Sequence, residues 1–463
     1  MEQHEKYERM TTWPVSRLVG RLAIPTTITM LVTALYNMAD TFFVGLLDNT
    51  SATGAVGVVF SFMAVIQACG FFFGQGSGTY IARFLGQEQV EDAQRMVSTG
   101  FFTAVATGVA IMMLGLSFLE PLAYLLGSTE TILPYAKAYL RIILLGAPYM
   151  IGALVLNNQL RFQGNAFYSM LGIGSGALLN VVLDPLFIFG LKMGVAGAAL
   201  ATIISQFVSF VVLLICCQKG DNLRVSFRLF RPRRSDYAAI LRGGFPTLCR
   251  QGLSSISTVC LNFMAGVLGG DAAIAAMAVV AKIMHVAFCV LLGFGQGFQP
   301  VCGFNYGAGL YRRVKEAFWF CVRIGTALLL AASVAGWIFA ARLVGLFSQD
   351  ADVIRIGMQS LRWQCVVFPT VGFSTMCNMM MQTMGFVGRS SFLSMARQGI
   401  FFIPFVLFLP WVFSQIGLPP LLGVQMAQAI ADALTFVASM LLVIGVLRGL
   451  SFDRTTDVKM DSV

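Results

Sequence analysis

Charged residues are scarce in this sequence: Asp, Glu, Lys and Arg make up 11% of its 463 residues, against roughly a quarter in soluble domains. Histidine occurs only twice, and the ten cysteines include no CxxC pair, which argues against a metal centre or redox site built from these residues. The chain also contains no HExxH, no GxSxG and no nucleotide-binding glycine loop. We therefore expect neither a soluble domain nor an enzyme, and no cofactor.

Long apolar stretches dominate the chain instead. Hydrophobic residues make up 57% of it, and they cluster into about twelve stretches of the length that a membrane-crossing helix needs. Lipid offers no hydrogen-bond partners to backbone N–H and C=O groups, and a helix satisfies these groups within itself. We therefore predict an all-α integral membrane protein. The predicted transmembrane helices lie near residues 17–46, 53–81, 95–120, 132–156, 166–190, 195–217, 238–268, 273–303, 315–344, 353–382, 391–415 and 421–447.

The net charge of +10 does not indicate nucleic acid as a partner, because the basic residues follow the membrane topology. Most of the Lys and Arg residues fall before the first span, in the even-numbered loops and after the last span. The positive-inside rule then predicts that both termini are cytoplasmic. With short loops and no cleavable leader, we expect a multi-pass protein of the plasma (inner) membrane, with the lipid bilayer as its surroundings.

The first half of the chain matches the second half at a constant offset. Pro25 falls on Pro246 (246 − 25 = 221), and the same shift superimposes further prolines, glycines and polar residues without a gap. The other pairs include Gly74-Gln75-Gly76 with Gly295-Gln296-Gly297, Arg141 with Arg362, Pro148 with Pro369, Asn157 with Asn378 and Gly164 with Gly385. A constant offset that carries these residue types indicates a duplicated unit.

Each unit contains six predicted spans, so the two copies run parallel through the membrane. We predict two pseudo-symmetric six-helix lobes: an N-lobe at 1–217 and a C-lobe at 238–463, joined by a cytoplasmic linker at 218–237. Parallel repeats of this kind are typical of transporters that bind their cargo near the middle of the membrane. Pro25 lies inside the first helix, where its missing amide donor either permits a functional bend or is a tolerated kink.

Acidic residues inside the predicted helices are candidates for function, since a charge at mid-bilayer costs about 2.5–3.5 kcal/mol. Asp40 lies in the first helix and Asp184 in the fifth, and the position that matches Asp40 in the second half is Leu261. Tyr36 precedes Asp40 by one turn, and Asn180 precedes Asp184 by one turn, so each pair shares a helix face.

These side chains offer hard oxygen ligands. Pro185 has no amide hydrogen, so it frees the carbonyl of Val181 from its helical bond. Two carboxylates, a carboxamide and a free carbonyl suit a small cation. Alternatively, one carboxyl carries a proton, because burial and a like charge favour its neutral form. A third interpretation is that the two acids only accept hydrogen bonds from their neighbours.

Five motifs in order resemble the multidrug and toxic compound extrusion family, MATE, over essentially the whole chain. They are YNMADTFFVG at 36–45, RFQGN at 161–165, NVVLDPLFIFG at 180–190, GVAGAALAT at 194–202 and GFQPVCGFNYGAG at 297–309. The resemblance implies alternating access between two lobes, driven by Na+ or H+. It further implies efflux of cationic or amphipathic drugs, and we expect the protein to act as a monomer.

The resemblance also implies a position for the cation site. The site would fall on Asp40, Asn180, Asp184 and Thr202, which would be the metal ligands if Na+ is the coupling ion, with Tyr139 as a neighbour. Tyr36 joins this set from its position one turn before Asp40. Asn37 and Asn157 are candidate substrate contacts.

The C-lobe is less acidic. One branch of the family uses acids in the seventh and tenth helices, where this chain has Gln251, Asn262 and Asn378, and this favours coupling through the N-lobe. The remaining acid, Asp432, is expected to pair with a base among Arg141, Arg250, Lys282, Arg323, Arg362 and His285. Because Arg250, Lys282 and Arg362 could bind a diphosphate headgroup, a flippase for lipid-linked saccharides is the alternative function.

Overall fold

The computed structural model describes residues 2–46 and 50–450, and all regular structure in these ranges is helical. The helices are α1 (Glu2–Thr12), α2 (Val15–Gly45), α3 (Thr50–Gly86), α4 (Val90–Ser117), α5 (Leu119–Leu125), α6 (Leu133–Phe162), α7 (Ala166–Pro185), α8 (Gly194–Cys217), α9 (Arg234–Gly307), α10 (Tyr311–Ile338), α11 (Ala340–Gly345), α12 (Ala351–Met384), α13 (Val387–Met395), α14 (Phe402–Gln415) and α15 (Pro420–Gly449). Residues 451–463 of the predicted C-lobe lie outside the described ranges.

The predicted all-α architecture is confirmed, with two differences in its details. The spans predicted at 238–268 and 273–303 form the single helix α9, which has a break at Gly270. The backbone there has φ 64° and ψ −159°, a conformation open essentially to glycine alone. In the described ranges, ten helical segments are long and apolar enough to cross a membrane, and α9 counts once among them.

The second difference concerns α12, the tenth predicted span, which is not among those ten segments. This helix packs against α10 and α15 and buries polar side chains such as Ser360, Gln382 and Thr383. Its neighbours on those faces are protein rather than lipid. A helix in that position needs less hydrophobicity than one that lipid surrounds.

The chain forms two compact units, and their boundaries differ from the predicted lobes. Unit 1 contains residues 1–13 and 24–244, and unit 2 contains residues 14–23 and 245–463. The first residues of α2, 15–23, therefore belong to unit 2 and the rest of that helix to unit 1, whereas the first residues of α9, 234–244, belong to unit 1 and the rest to unit 2.

Close packing at matching glycines explains these boundaries. In unit 1, a Cβ atom on Gly76 would lie 2.4 Å from the carbonyl oxygen of Ile240, so α3 touches the start of α9. In unit 2, a Cβ atom on Gly297 would lie 2.4 Å from Cα of Ala23. Gly76 and Gly297 are 221 residues apart (297 − 76 = 221), so the repeat that was found in the sequence is also present in the packing.

Two π-helical segments interrupt the regular helices. Leu186–Gly190 continues α7 beyond Pro185, and Ala396–Ile400 separates α13 from α14. Such segments are rare and occur frequently at functional sites. The first segment begins two residues after Asp184, and the second contains Arg397.

The N-terminal helix α1 packs against the rest of unit 1 through a buried lysine. The Lys6 side chain is 1% exposed, and its Nζ lies 3.5 Å from Asp221 Oδ2 and donates to the Asp221 carbonyl at 3.3 Å. Burial lowers the pKa of Lys6 from its usual 10.5 to about 8, and the Asp221 carboxylate opposes part of that shift. Met10 is fully buried in the same helix and approaches Gly164.

This buried lysine predicts that stability rises with pH in alkaline solution. Unfolded Lys6 keeps its usual pKa, so between about 8 and 10.5 the unfolded chain binds more protons, and raising the pH favours the folded form. Melting temperatures of the detergent-solubilised wild type and Lys6→Met would be compared from pH 7.5 to 10. We expect the wild type to gain stability relative to the variant as pH rises. A constant difference would contradict the assignment, and Lys137→Met, at a lysine that is 39% exposed, serves as the control.

Candidate functional site

A stripe of four residues on α7 faces α8. Gly172, Gly176, Asn180 and Asp184 recur every fourth residue, so they lie on one helix face. A Cβ atom on Gly176 would lie 2.7 Å from the carbonyl oxygen of Ser205, and Ser209 Oγ donates to the carbonyl of Gly172 at 2.6 Å. The two glycines therefore let the helices approach closely, and this approach buries the polar residues that follow them.

Asn180 and Asp184 form the fully buried part of the site. Their side chains are almost inaccessible, with exposed fractions of 1% and 0%. Asn180 Nδ2 donates to Asp184 Oδ1 at 3.3 Å. The other oxygen of each side chain, Asn180 Oδ1 and Asp184 Oδ2, is buried without a hydrogen-bond partner.

The second acid reaches the site from α2. Asp40 is partly buried, and its Oδ1 also has no hydrogen-bond partner. Its charge acts on Asp184, so the two carboxyl groups are close enough to interact electrostatically. Tyr36, one turn earlier on α2, is buried and interacts with both acids.

Helices α6 and α8 complete the cluster. Tyr139 on α6 is 1% exposed and interacts with Asp40, Asp184 and Tyr36. Thr202 on α8 lies beside Tyr139, and Ser205 follows one turn later; both are buried. Four helices of unit 1 thus contribute side chains to one site.

Unpartnered oxygen atoms are the main chemical feature of this cluster. Five buried oxygens find no hydrogen-bond partner among the described residues: Asp40 Oδ1, Tyr139 Oη, Asn180 Oδ1, Asp184 Oδ2 and Ser205 Oγ. Each such atom is costly unless a ligand or water satisfies it. Carboxylate, carboxamide and hydroxyl oxygens together suit a hard cation, and either carboxyl group can alternatively accept a proton. The donor set therefore fits both Na+ and H+.

The structure brings together Asp40, Asn180, Asp184, Thr202, Tyr139 and Tyr36, the six residues that the sequence placed in the cation site. The site also contains Ser205, which the sequence analysis missed. Its position three residues after Thr202, on the same helix face, was the available signal. No group of three His, Cys, Asp or Glu side chains with metal-site geometry occurs in the described part of the chain.

The two asparagines proposed as substrate contacts differ in their surroundings. Asn37 is partly buried on α2 next to Tyr36. Asn157 is 6% exposed, and its amide donates to the Ser169 carbonyl at 3.1 Å and to Ser169 Oγ at 2.6 Å. Its counterpart Asn378 donates to the Ser390 carbonyl at 3.0 Å. In both units this asparagine connects two helices, which gives Asn157 a structural role.

Pro25 lies inside the continuous helix α2, fifteen residues before Asp40. The hydroxyl groups of Thr29 and Thr33 each donate to the carbonyl four residues earlier, at 2.8 Å. Hydroxyl bonds of this kind weaken and often bend helices. This segment of α2 therefore combines two features that ease bending.

In unit 2, the expected pairing of Asp432 is present but with a different base. Asp432 Oδ1 accepts from Arg397 Nε at 2.8 Å and from Gln428 Nε2 at 2.9 Å. The prediction had named six other bases and omitted Arg397, whose contact with Asp432 joins two helical segments that lie 35 residues apart in the sequence. Leu261, which occupies the position that matches Asp40, is partly buried and packs against the hydrophobic core of unit 2.

Comparison with known proteins gives consistent results. The sequence model of the MatE family matches residues 25–186 and 246–408, and these two segments begin at the 221-residue offset of the repeat. The multidrug export protein MepA of Staphylococcus saprophyticus is 27% identical over 423 residues, which cover 91% of this chain and 92% of MepA.

Solved structures extend the match to the fold. A crystal structure of MATE in the straight conformation superimposes with a TM-score of 0.89 at 27% identity, covering 96% of this chain and 98% of the other. A crystal structure of MATE in the bent conformation gives a TM-score of 0.88 at 26% identity, with coverage of 97% and 98%.

The contact between α7 and α8 predicts that valine substitution destabilises the protein at Gly176 but much less at the neighbouring Gly174. Gly176→Val would place methyl groups against the Ser205 carbonyl and should cost about 1–3 kcal/mol. Gly174→Val is the matched control, since a Cβ atom there meets nothing within 4 Å. Melting of the two variants in detergent tests this prediction. Equal melting temperatures for the two variants would contradict the close packing that buries the site.

Proposed function

Since the chain belongs to the MatE family, we propose that it exports cationic or amphipathic small molecules across the membrane by antiport with Na+ or H+. The cluster of unpartnered oxygens in unit 1 is the observation that carries this proposal. The relatedness to MepA, a multidrug export protein, supports the export of drugs. The membrane-transporter family gives no reason to expect an enzyme.

The coupling cation is a substrate of this cycle, and we assign its binding to the unit 1 cluster. Asp40 and Asp184 supply the negative charge, while Asn180, Tyr139 and Ser205 supply neutral oxygens. A proton on one carboxyl, or Na+ among the oxygens, would reduce the repulsion between the two acids. A ligand shifts a conformational equilibrium only when it prefers one state, so the cation must bind one state of the transporter more tightly.

We propose that helix α2 transmits the effect of cation binding to the conformation of the transporter. It carries Asp40 and Tyr36 in the site, and it carries Pro25 with its weakened turns nearer the N-terminus. Cation binding at Asp40 would favour one curvature of α2 and thereby change the affinity for cargo. Straight and bent conformations have been described for solved MATE structures, which supports a cycle that includes bending.

The topology proposal follows from the charges. We infer that both termini face the cytoplasm and that the protein resides in the plasma (inner) membrane as a monomer. Cargo would then move outward while the cation moves inward.

The flippase alternative receives less support from the side-chain geometry. The Arg362 guanidinium lies 5.6 Å from the Trp337 ring centre, whereas Arg250 interacts with Arg397. Arg250 and Arg362 thus have different neighbours, so no described contact supports a diphosphate site that the two residues would share.

The acids of the cluster provide the test of coupling. Efflux of a cationic dye from proteoliposomes would be measured under an imposed Na+ or pH gradient for the wild type, Asp40→Asn and Asp184→Asn. We expect export to require one of the two gradients and to fall at least about tenfold in both variants, because each loses a charge that the cation needs. Asp271→Asn makes the same chemical change at an exposed acid and should transport normally.

The outcomes separate the two parts of the proposal. Full gradient-dependent export in Asp40→Asn and Asp184→Asn would exclude the unit 1 cluster as the coupling site. Export by the wild type at a rate that depends on neither gradient would contradict antiport itself. Which gradient supports export identifies the coupling ion.

A further inference from the structure

An arginine without a counter-ion lies in the membrane-spanning part of unit 2. Arg250 on α9 is partly buried, and it forms no hydrogen bond or ion pair with any residue that the structure describes. Charged side chains inside a membrane protein are expensive and usually find a partner or a ligand. The proposed coupling mechanism makes no use of Arg250.

The packing of α9 places Arg250 beside a second arginine. Leu253 and Ser257 lie on the same helix face as Arg250, one and two turns later. A Cβ atom on Gly399 would lie 2.7 Å from Leu253 Cδ1, and Ser257 Oγ donates to the carbonyl of Gln398. This face of α9 therefore lies against the π-helical segment 396–400, which contains Arg397, and the two guanidinium groups interact electrostatically.

Arg397 already has its partners. Its Nε lies 2.8 Å from Asp432 Oδ1, and the two side chains are 19% and 5% exposed. Its guanidinium also lies 4.7 Å from the ring centre of Phe288, and Gln428 donates to the same carboxylate. Asp432 thus neutralises Arg397 and leaves Arg250 with an uncompensated charge.

We propose that Arg250 binds the carboxylate of cargo molecules that carry one, and that the Arg397–Asp432 pair and Phe288 form the adjoining surface. The three charged groups sum to one positive charge, which a single monoanion would balance. A guanidinium presents two parallel N–H donors that match a carboxylate, and the Phe288 ring offers an apolar surface for the group that bears it. This inference rests on the proposed export function and assigns to one residue of unit 2 the recognition of cargo that bears a carboxylate.

A matched pair of dyes tests the inference. A rhodamine with a free benzoate and its methyl ester differ by one negative charge. Their binding to purified protein in a non-ionic detergent would be followed by fluorescence polarisation. We expect Arg250→Gln to weaken binding of the acid about tenfold, the loss typical of one charged hydrogen-bond pair, and to leave the ester unchanged.

Two further variants make the result specific. Arg250→Lys keeps the charge without the paired donors and should bind the acid with intermediate affinity. Arg323→Gln removes an exposed arginine from another helix of unit 2 and should have no effect. Arg397 is left intact, because its removal would leave the buried Asp432 without a partner.

The contradicting outcomes are distinct. Equal loss of both dyes in Arg250→Gln, or no loss of the acid, would overturn the inference. Binding and export of the ester by a wild type that does not bind the acid would overturn it while leaving the proposed export function standing. If the wild type neither binds nor exports either dye, both proposals fail. An effect confined to anionic phospholipid bound to the protein would assign Arg250 to lipid instead.

Discussion

Close contact between α7 and α8 is the packing feature on which the proposed site depends. Gly172 and Gly176 have no side chains to hold the two helices apart. Asn180 and Asp184, which lie one and two turns after Gly176, are therefore buried between the helices. Burial excludes water from these oxygens and raises the cost of leaving them unsatisfied. In the mechanism that we propose, a small cation would satisfy these oxygens, and the free energy of its binding would shift the conformational equilibrium of the transporter.

The two units share a common framework but carry different charges. Gly76 and Gly297 make equivalent close contacts, and Asn157 and Asn378 make equivalent hydrogen bonds. Unit 1 holds two acids around unpartnered oxygens, whereas unit 2 holds a neutralised Arg–Asp pair beside Arg250. We propose that the first arrangement binds a cation and that the second binds an anionic group.

The sequence predicted the helical architecture, the repeat and the main members of the candidate site, because each of these leaves a periodic or rare signal. Acids in apolar helices are conspicuous, so Asp40 and Asp184 were easy to find. Ser205 was missed because serine is common in such helices. Arg397 was missed as the partner of Asp432, and the unit boundaries differ, because both depend on contacts between distant segments that no local pattern encodes.

The central claim is that the unit 1 oxygens hold the coupling cation and release it when cargo binds. The direct measurement is cation release from purified protein in weakly buffered, non-ionic detergent after addition of tetraphenylphosphonium, with an indicator for protons and radioactive Na+ for sodium. The account predicts near-stoichiometric release of one of the two ions by the wild type and none by Asp184→Asn. Binding of tetraphenylphosphonium without release of either ion, or undiminished release in Asp184→Asn, would contradict it.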